Sequence, residues 1–236
     1  MPTSSSAIAQ GRRAGLLWLI AAFTGGVALS YVRGHVYVPG DAAATAQALL
    51  SNVVRFRLAI VGALGSQLAM LFLALELYRV FAPSERVLAR ILVSSMAISV
   101  ALACANQLPN LVALLLLRPD PYLQVFAQGQ REAAALLMLR VQNGPGQALL
   151  EIFWAPYYLA FGLAALRSRA LPRILGALLI AMGTGFALNI ATKLLVPQWQ
   201  PEFFTMLAMG LGALGGIPTM LWLLVRGLTL PVRAEH

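Results

Sequence analysis

Eight residues stand in or beside long apolar stretches and are the side chains of this sequence best placed to do chemistry: Asp41, Arg57, Asn106, Glu151, Trp154, Tyr157, Asn189 and Lys193. An ionisable group at the centre of a membrane helix costs on the order of 2.5–3.5 kcal/mol on insertion scales, so such groups face a cavity or one another. Glu151 has two candidate partners, Lys193 and Arg57. Asp41 and Arg57 flank a short helix-favourable segment and could pair to fix a loop over the bundle. Asn189 and Lys193 are four residues apart and share a helix face. Trp154 and Tyr157 lie one turn apart beside Glu151 and could wall a pocket for a ligand.

Each of these residues also has a plain structural use. Arg55, Arg57 and Lys193 are long enough to snorkel to headgroups. Glu151 could be a solvated carboxylate at the membrane interface, and Asp41 suits a helix cap better than a catalytic acid. Glu76 is one turn from Arg79 and is expected to pair with it. Trp18, Trp154, Trp199, Tyr31, Tyr37, Tyr157 and Tyr158 fall mostly near the ends of the apolar stretches, where an aromatic belt would sit.

Catalytic signatures are scarce. His35 and His236 are the only histidines, which leaves no basis for a His-rich zinc or haem site, and no metal is predicted. There is no nucleophile-elbow serine and no glycine-rich phosphate loop after a strand. Glu151 could serve as acid or base in a lipid-modifying enzyme, but nothing supplies its nucleophile. Cys104, the only cysteine, falls inside an apolar stretch and reads as a small core hydrophobe.

The elements that must position these groups are membrane helices. Six apolar stretches, residues 14–32, 58–81, 87–117, 148–166, 174–196 and 203–225, each approach or exceed the required length; about 20 helical residues cross a hydrocarbon core. The composition agrees, with 60% apolar and 11% charged residues and a mean hydropathy of +0.79. The formal charge of +9 lies at helix ends and not along one basic face, so nucleic acid is not an expected partner.

The fold class is therefore all-α: a polytopic membrane protein, a six-transmembrane-helix bundle with short outer amphipathic helices. The domain reading is a mobile cytoplasmic tail at residues 1–13, one transmembrane domain at 14–226 and a cytoplasmic tail at 227–236. Placing the N-terminus inside puts ten arginines on that side and seven cations on the other, and the inside loops are the short arginine-dense ones. Both termini are expected in the cytoplasm of a bacterial cell, with the chain in its inner membrane. Arg12-Arg13 and Ala28-Leu29-Ser30 loosely imitate a secretory signal, yet an uncleaved first span is the better reading.

Two loops on the outer side hold most of the remaining information. Val38-Pro39-Gly40-Asp41 is a turn followed by helix-favourable residues 42–54. Arg118-Pro119-Asp120-Pro121 ends the third stretch, and residues 132–141 are expected to form an interfacial or re-entrant helix before Asn143-Gly144-Pro145-Gly146 breaks the chain again. Gly183, Ala187 and Ala191, and likewise Ala208, Gly212 and Gly216, recur every four residues and allow close helix packing, within the bundle or in a dimer. Pro156 and Pro218 are expected to kink their helices.

The stretch Tyr37-Val38-Pro39-Gly40-Asp41-Ala42-Ala43-Ala44-Thr45, with Phe56-Arg57-Leu58 and Leu75-Glu76-Leu77-Tyr78, resembles the bacterial membrane family catalogued as domain of unknown function 4386. A second block, Gly162-Leu163-Ala164-Ala165-Leu166-Arg167-Ser168 running into Leu171-Pro172-Arg173-Ile174-Leu175-Gly176, is similar to that family's later signature. The resemblance implies a six-helix integral membrane bundle and supplies no activity.

The function expected from the residues is a non-catalytic bundle that binds a lipid or hydrophobic small molecule, or an accessory subunit of a membrane complex. A lipid-modifying enzyme and a small transporter are the alternatives. The expected partners are membrane lipids, and a homo-oligomer or larger membrane complex. No cofactor is predicted beyond a bound lipid or hydrophobic pigment.

Overall fold

The computed structural model describes residues 4–196 and 201–229. The side chains of Tyr31 and Arg33, and all of Trp199, Arg233 and His236, lie outside the described residues. Among those described there are nine α-helices and no strand. They are α1 (Ser4–His35), α2 (Ala42–Ser51), α3 (Val53–Phe81), α4 (Arg86–Ala105), α5 (Leu108–Leu116), α6 (Gln128–Val141), α7 (Gln147–Ser168), α8 (Arg173–Leu195) and α9 (Pro201–Val225).

Five helical runs among the described residues are long and apolar enough to cross a membrane. The remaining expected span, residues 14–32, lies within α1, which starts at Ser4, so the segment expected to be a mobile tail is helical from that residue. Large apolar side chains line the outer surface, with Phe23 at 69%, Val54 at 71% and Met206 at 70% exposure. A soluble protein would not expose so much apolar surface, whereas lipid solvates it at no cost. The chain is a multi-pass membrane protein.

Two expectations about continuity are overturned. The third apolar stretch is not one helix: α4 ends at Ala105 and α5 starts at Leu108, with Pro109 in its first turn, where the missing N–H is not needed. Conversely, Asn143-Gly144-Pro145-Gly146 does not break the chain. Residues Gln142–Gly146 form one wide π-helical turn, and the helix continues from Gln128 to Ser168. A π turn carries a proline because its ladder is already interrupted there, so one missing N–H costs little. The helix expected at the interface, residues 132–141, is thus the first part of this long run, and it buries Ala135 and Leu139.

The chain forms two compact units. The first comprises Met1–Ile20, Ala69–Val100 and Leu150–His236. Its core gathers Leu73, Leu77, Phe81, Leu92, Met96 and Phe161, with an aromatic group in which Trp18 lies 6.3 Å from Tyr158 and Tyr157 4.8 Å from Tyr158. These aromatics therefore face inward and do not form the expected belt; small residues opposite give them room, and Gly216 lies against the Trp18 ring.

The small-residue spacing likewise serves packing inside this unit. A Cβ at Gly183 would lie 3.0 Å from the Ala155 carbonyl oxygen and 2.9 Å from the Leu159 nitrogen, so α7 and α8 meet backbone to backbone. Both ends of the unit's chain come together as well. Arg12 Nη2 donates to the Val225 carbonyl at 3.1 Å, Gly227 turns with φ of 73° against Ile8, and the Thr229 N–H donates to the Ala170 carbonyl at 3.2 Å. Positive φ is the reason for glycine at 227.

The second unit comprises Ala21–Leu68 and Ala101–Leu149. Val36, Leu49, Phe56, Ile60, Leu114 and Leu139 form its core. Ser66 Oγ donates to the Ala21 carbonyl at 2.8 Å, which ties α3 to α1. Asp41 is the N-cap of α2, accepting from the Ala44 N–H at 2.8 Å. Cys104, expected in a core, is exposed, next to the last residue of α4.

Candidate functional site

In the first unit, α7, α8 and α9 each send polar side chains to one buried point. Glu151 comes from the first turn and a half of α7, Asn189 and Lys193 from successive turns of α8, and Thr205 from the start of α9. Asn189 Nδ2 donates to Glu151 Oε2 at 3.0 Å, and Lys193 Nζ lies 3.5 Å from the same oxygen. Thr205 Oγ1 donates to Asn189 Oδ1 at 2.9 Å. Glu151 and Asn189 are buried, at 8% and 2% exposure, so the carboxylate is compensated by one cation and one amide. Of the two partners foreseen for Glu151, Lys193 is the one in contact.

The arrangement ties three helices together and offers little to a reaction. Asn189 uses its amide in both directions, and the Thr205 proton is spent on it. Trp154, one turn beyond Glu151, donates from Nε1 to Ser99 Oγ at 2.9 Å and meets Phe186 edge to face at 5.2 Å. Tyr157 is fully buried in the aromatic group, and its hydroxyl has no hydrogen-bond partner among the described residues.

The second unit holds an open groove of about 560 Å³ between α3 and α5. Its walls are apolar: Ile60 and Val61 from α3, Leu111 and Leu115 among others from α5. Residues 108, 111, 112 and 115 fall on one helical stripe, which is why α5 presents a continuous row. Arg57, near the start of α3, and Arg118, just past the end of α5, also line it. No carboxylate does, and neither arginine is ion-paired among the described residues.

The family model described as domain of unknown function (DUF4386) matches residues 13–227. The chain belongs to this family. No curated protein and no solved structure matches it. The DUF4386 match takes in both the α7–α8–α9 cluster and the α3–α5 groove.

The other residues singled out from the sequence are distributed through the DUF4386 region as follows. Asp41 is spent on its cap and does not meet Arg57. Asn106 stands in the break between α4 and α5, and its Nδ2 donates to the Gln142 carbonyl at 3.0 Å, in the π turn. Asn110 Nδ2 donates to Gln107 Oε1 at 2.9 Å. Glu76 and Arg79 pair at 2.7 Å as their spacing requires. Among the described residues no group of His, Cys, Asp or Glu is gathered in a way that could hold a metal ion.

Three participants escaped the sequence reading. Ser99 and Thr205 were unmarked, although an uncharged polar residue inside an apolar stretch is itself the signal for an interhelical hydrogen bond. Arg118 is marked by the sequence as an outer cation in a helix-ending motif, and its closeness to the end of the apolar α5 row is the signal for its place in the groove.

Proposed function

We propose that this DUF4386 protein is a non-catalytic membrane bundle that holds a lipid or another hydrophobic small molecule in the α3–α5 groove. The observation that carries the reading is the groove itself: an apolar cleft of about 560 Å³ whose lining includes two arginines that are unpaired among the described residues. Ligand sites are concave and mainly apolar, with few polar groups to orient the ligand. Glu151, by contrast, is buried and held through Oε2 by both Asn189 and Lys193, which argues against its acting as a general acid or base. The arginine distribution favours both termini in the cytoplasm and a place in the inner membrane. With that orientation the groove opens toward the outer leaflet.

The test is native mass spectrometry of protein released from lipid nanodiscs. Wild-type protein is expected to carry a stoichiometric extra mass of a few hundred daltons, on the scale of a single lipid. Leu111→Trp, which fills the groove from an exposed position, is expected to keep the helical circular dichroism and lose that mass. A ligand retained at full stoichiometry by Leu111→Trp would show that the groove is not its site.

A further inference from the structure

We infer that the occupant of the groove is an anionic phospholipid of the surrounding bilayer, with its phosphate on the Arg57 and Arg118 guanidinium groups and an acyl chain along the α5 row. The inference rests on the groove reading above and names the class of its ligand.

The argument is one of charge complementarity. Five cations have partners within the protein, Arg79 in Glu76, Arg167 in Glu85, Lys193 in Glu151, and Arg12 and Arg131 in backbone carbonyls; what sets Arg57 and Arg118 apart from the other arginines is that both line the apolar groove. Arg57 and Arg118 line one cleft and, among the described residues, have no protein acceptor or counter-charge. A guanidinium is planar, always charged, and matches phosphate oxygens with paired donors. Beside apolar walls that attraction is screened less than in water.

Three kinds of occupant can be compared on that basis. A neutral pigment or neutral lipid would cover the apolar row and leave two guanidinium groups without a counter-ion. Free phosphate would satisfy the arginines and leave the leucine row bare. An anionic phospholipid meets both requirements at once. From Leu108 to Leu115 the row extends about 10 Å at ~1.5 Å per residue, a good part of one acyl chain.

The test uses full-length protein in nanodiscs made from equimolar phosphatidylcholine and phosphatidylglycerol, exchanged into mild detergent, with the retained lipid identified by mass spectrometry. Wild-type protein is expected to retain phosphatidylglycerol over phosphatidylcholine by about tenfold, since each arginine near a membrane surface contributes a several-fold preference for an anionic lipid. Arg57→Gln/Arg118→Gln is expected to bring the ratio near one. Arg57→Lys/Arg118→Lys is expected to keep part of it, and it decides the matter should the glutamine variant fail to fold. Arg140→Gln, which removes an exposed cation outside the groove, is expected to leave the ratio unchanged.

The outcomes separate the two readings. A lipid lost on Leu111→Trp but retained without preference would overturn the anionic assignment and leave the groove reading intact. A phosphatidylglycerol preference that survives the loss of both arginines, or falls equally with Arg140→Gln, would trace it to bulk positive charge and overturn the assignment as well. No lipid sensitive to Leu111→Trp would remove both.

Discussion

Replacing Asn189 by alanine tests whether the buried polar cluster holds α7, α8 and α9 together. The amide links two partners on two other helices, donating to Glu151 at 3.0 Å and accepting from Thr205 at 2.9 Å. Interhelical hydrogen bonds within membranes average about 0.6 kcal/mol each, so losing two costs about 1.2 kcal/mol. A buried carboxylate left with Lys193 alone adds roughly 1–3 kcal/mol of uncompensated desolvation. The expected destabilisation is therefore about 2–4 kcal/mol. Thr205→Val removes one bond and uncovers no charge, so its cost is expected to be about 0.6 kcal/mol.

Equilibrium unfolding in bicelles by steric trapping measures both variants against wild type. Adding Glu151→Gln to Asn189→Ala takes away the uncovered charge and is expected to recover part of the loss. If Asn189→Ala cost no more than Thr205→Val, or if Glu151→Gln made the double variant worse by its full single-variant cost, the cluster would not be the tie that its geometry describes.

Two further variants probe the helix breaks and the chain ends. A Cβ at Gly146 would lie 2.7 Å from Asn106 Cγ, so Gly146→Ala is expected to push the amide off the Gln142 carbonyl and cost about 1–3 kcal/mol; in an Asn106→Ala background the same change is expected to be much cheaper, a non-additivity that a double-mutant cycle reads directly. Gly227→Val combines a positive φ with a backbone carbonyl where its side chain must go, and thermal unfolding in detergent is expected to show a loss of at least about 1–2 kcal/mol.

What was legible in the sequence followed from periodicity and local chemistry. Apolar length alone places α3, α8 and α9. Turn residues and an aspartate announced the start of α2, and a spacing of three residues gave the Glu76–Arg79 pair. What stayed hidden depends on how one helix is rotated against the next. Nothing within α7 tells which face of Trp154 or Tyr158 meets a neighbour, so interior aromatics looked like an interfacial belt. The Asn-Gly-Pro-Gly run carries three strong breakers, yet its hydrogen bonds are rearranged into a wide turn with Asn106 supplying a donor from another helix. The α4–α5 interruption was masked for the opposite reason, because an apolar run reads as continuous when only two polar residues mark its break. For the site, the Glu151–Lys193 pair was one of two options, and choosing between them needed coordinates. The groove was invisible because its apolar walls look like any lipid-facing stripe.

The meeting of α1 with the end of α9 and the residues after it bears on how the protein is made. Gly11 and Gly15 of α1 lie directly against the backbone of residues 223–228, with no room for a side chain between them. Synthesis runs from the N-terminus, at about 5–20 residues per second. α1 therefore leaves the ribosome well before the segment that covers it. During that interval its glycine face is bare in the membrane, open to another nascent copy or to an insertion factor. The turn at Gly227 sets that covering segment against α1.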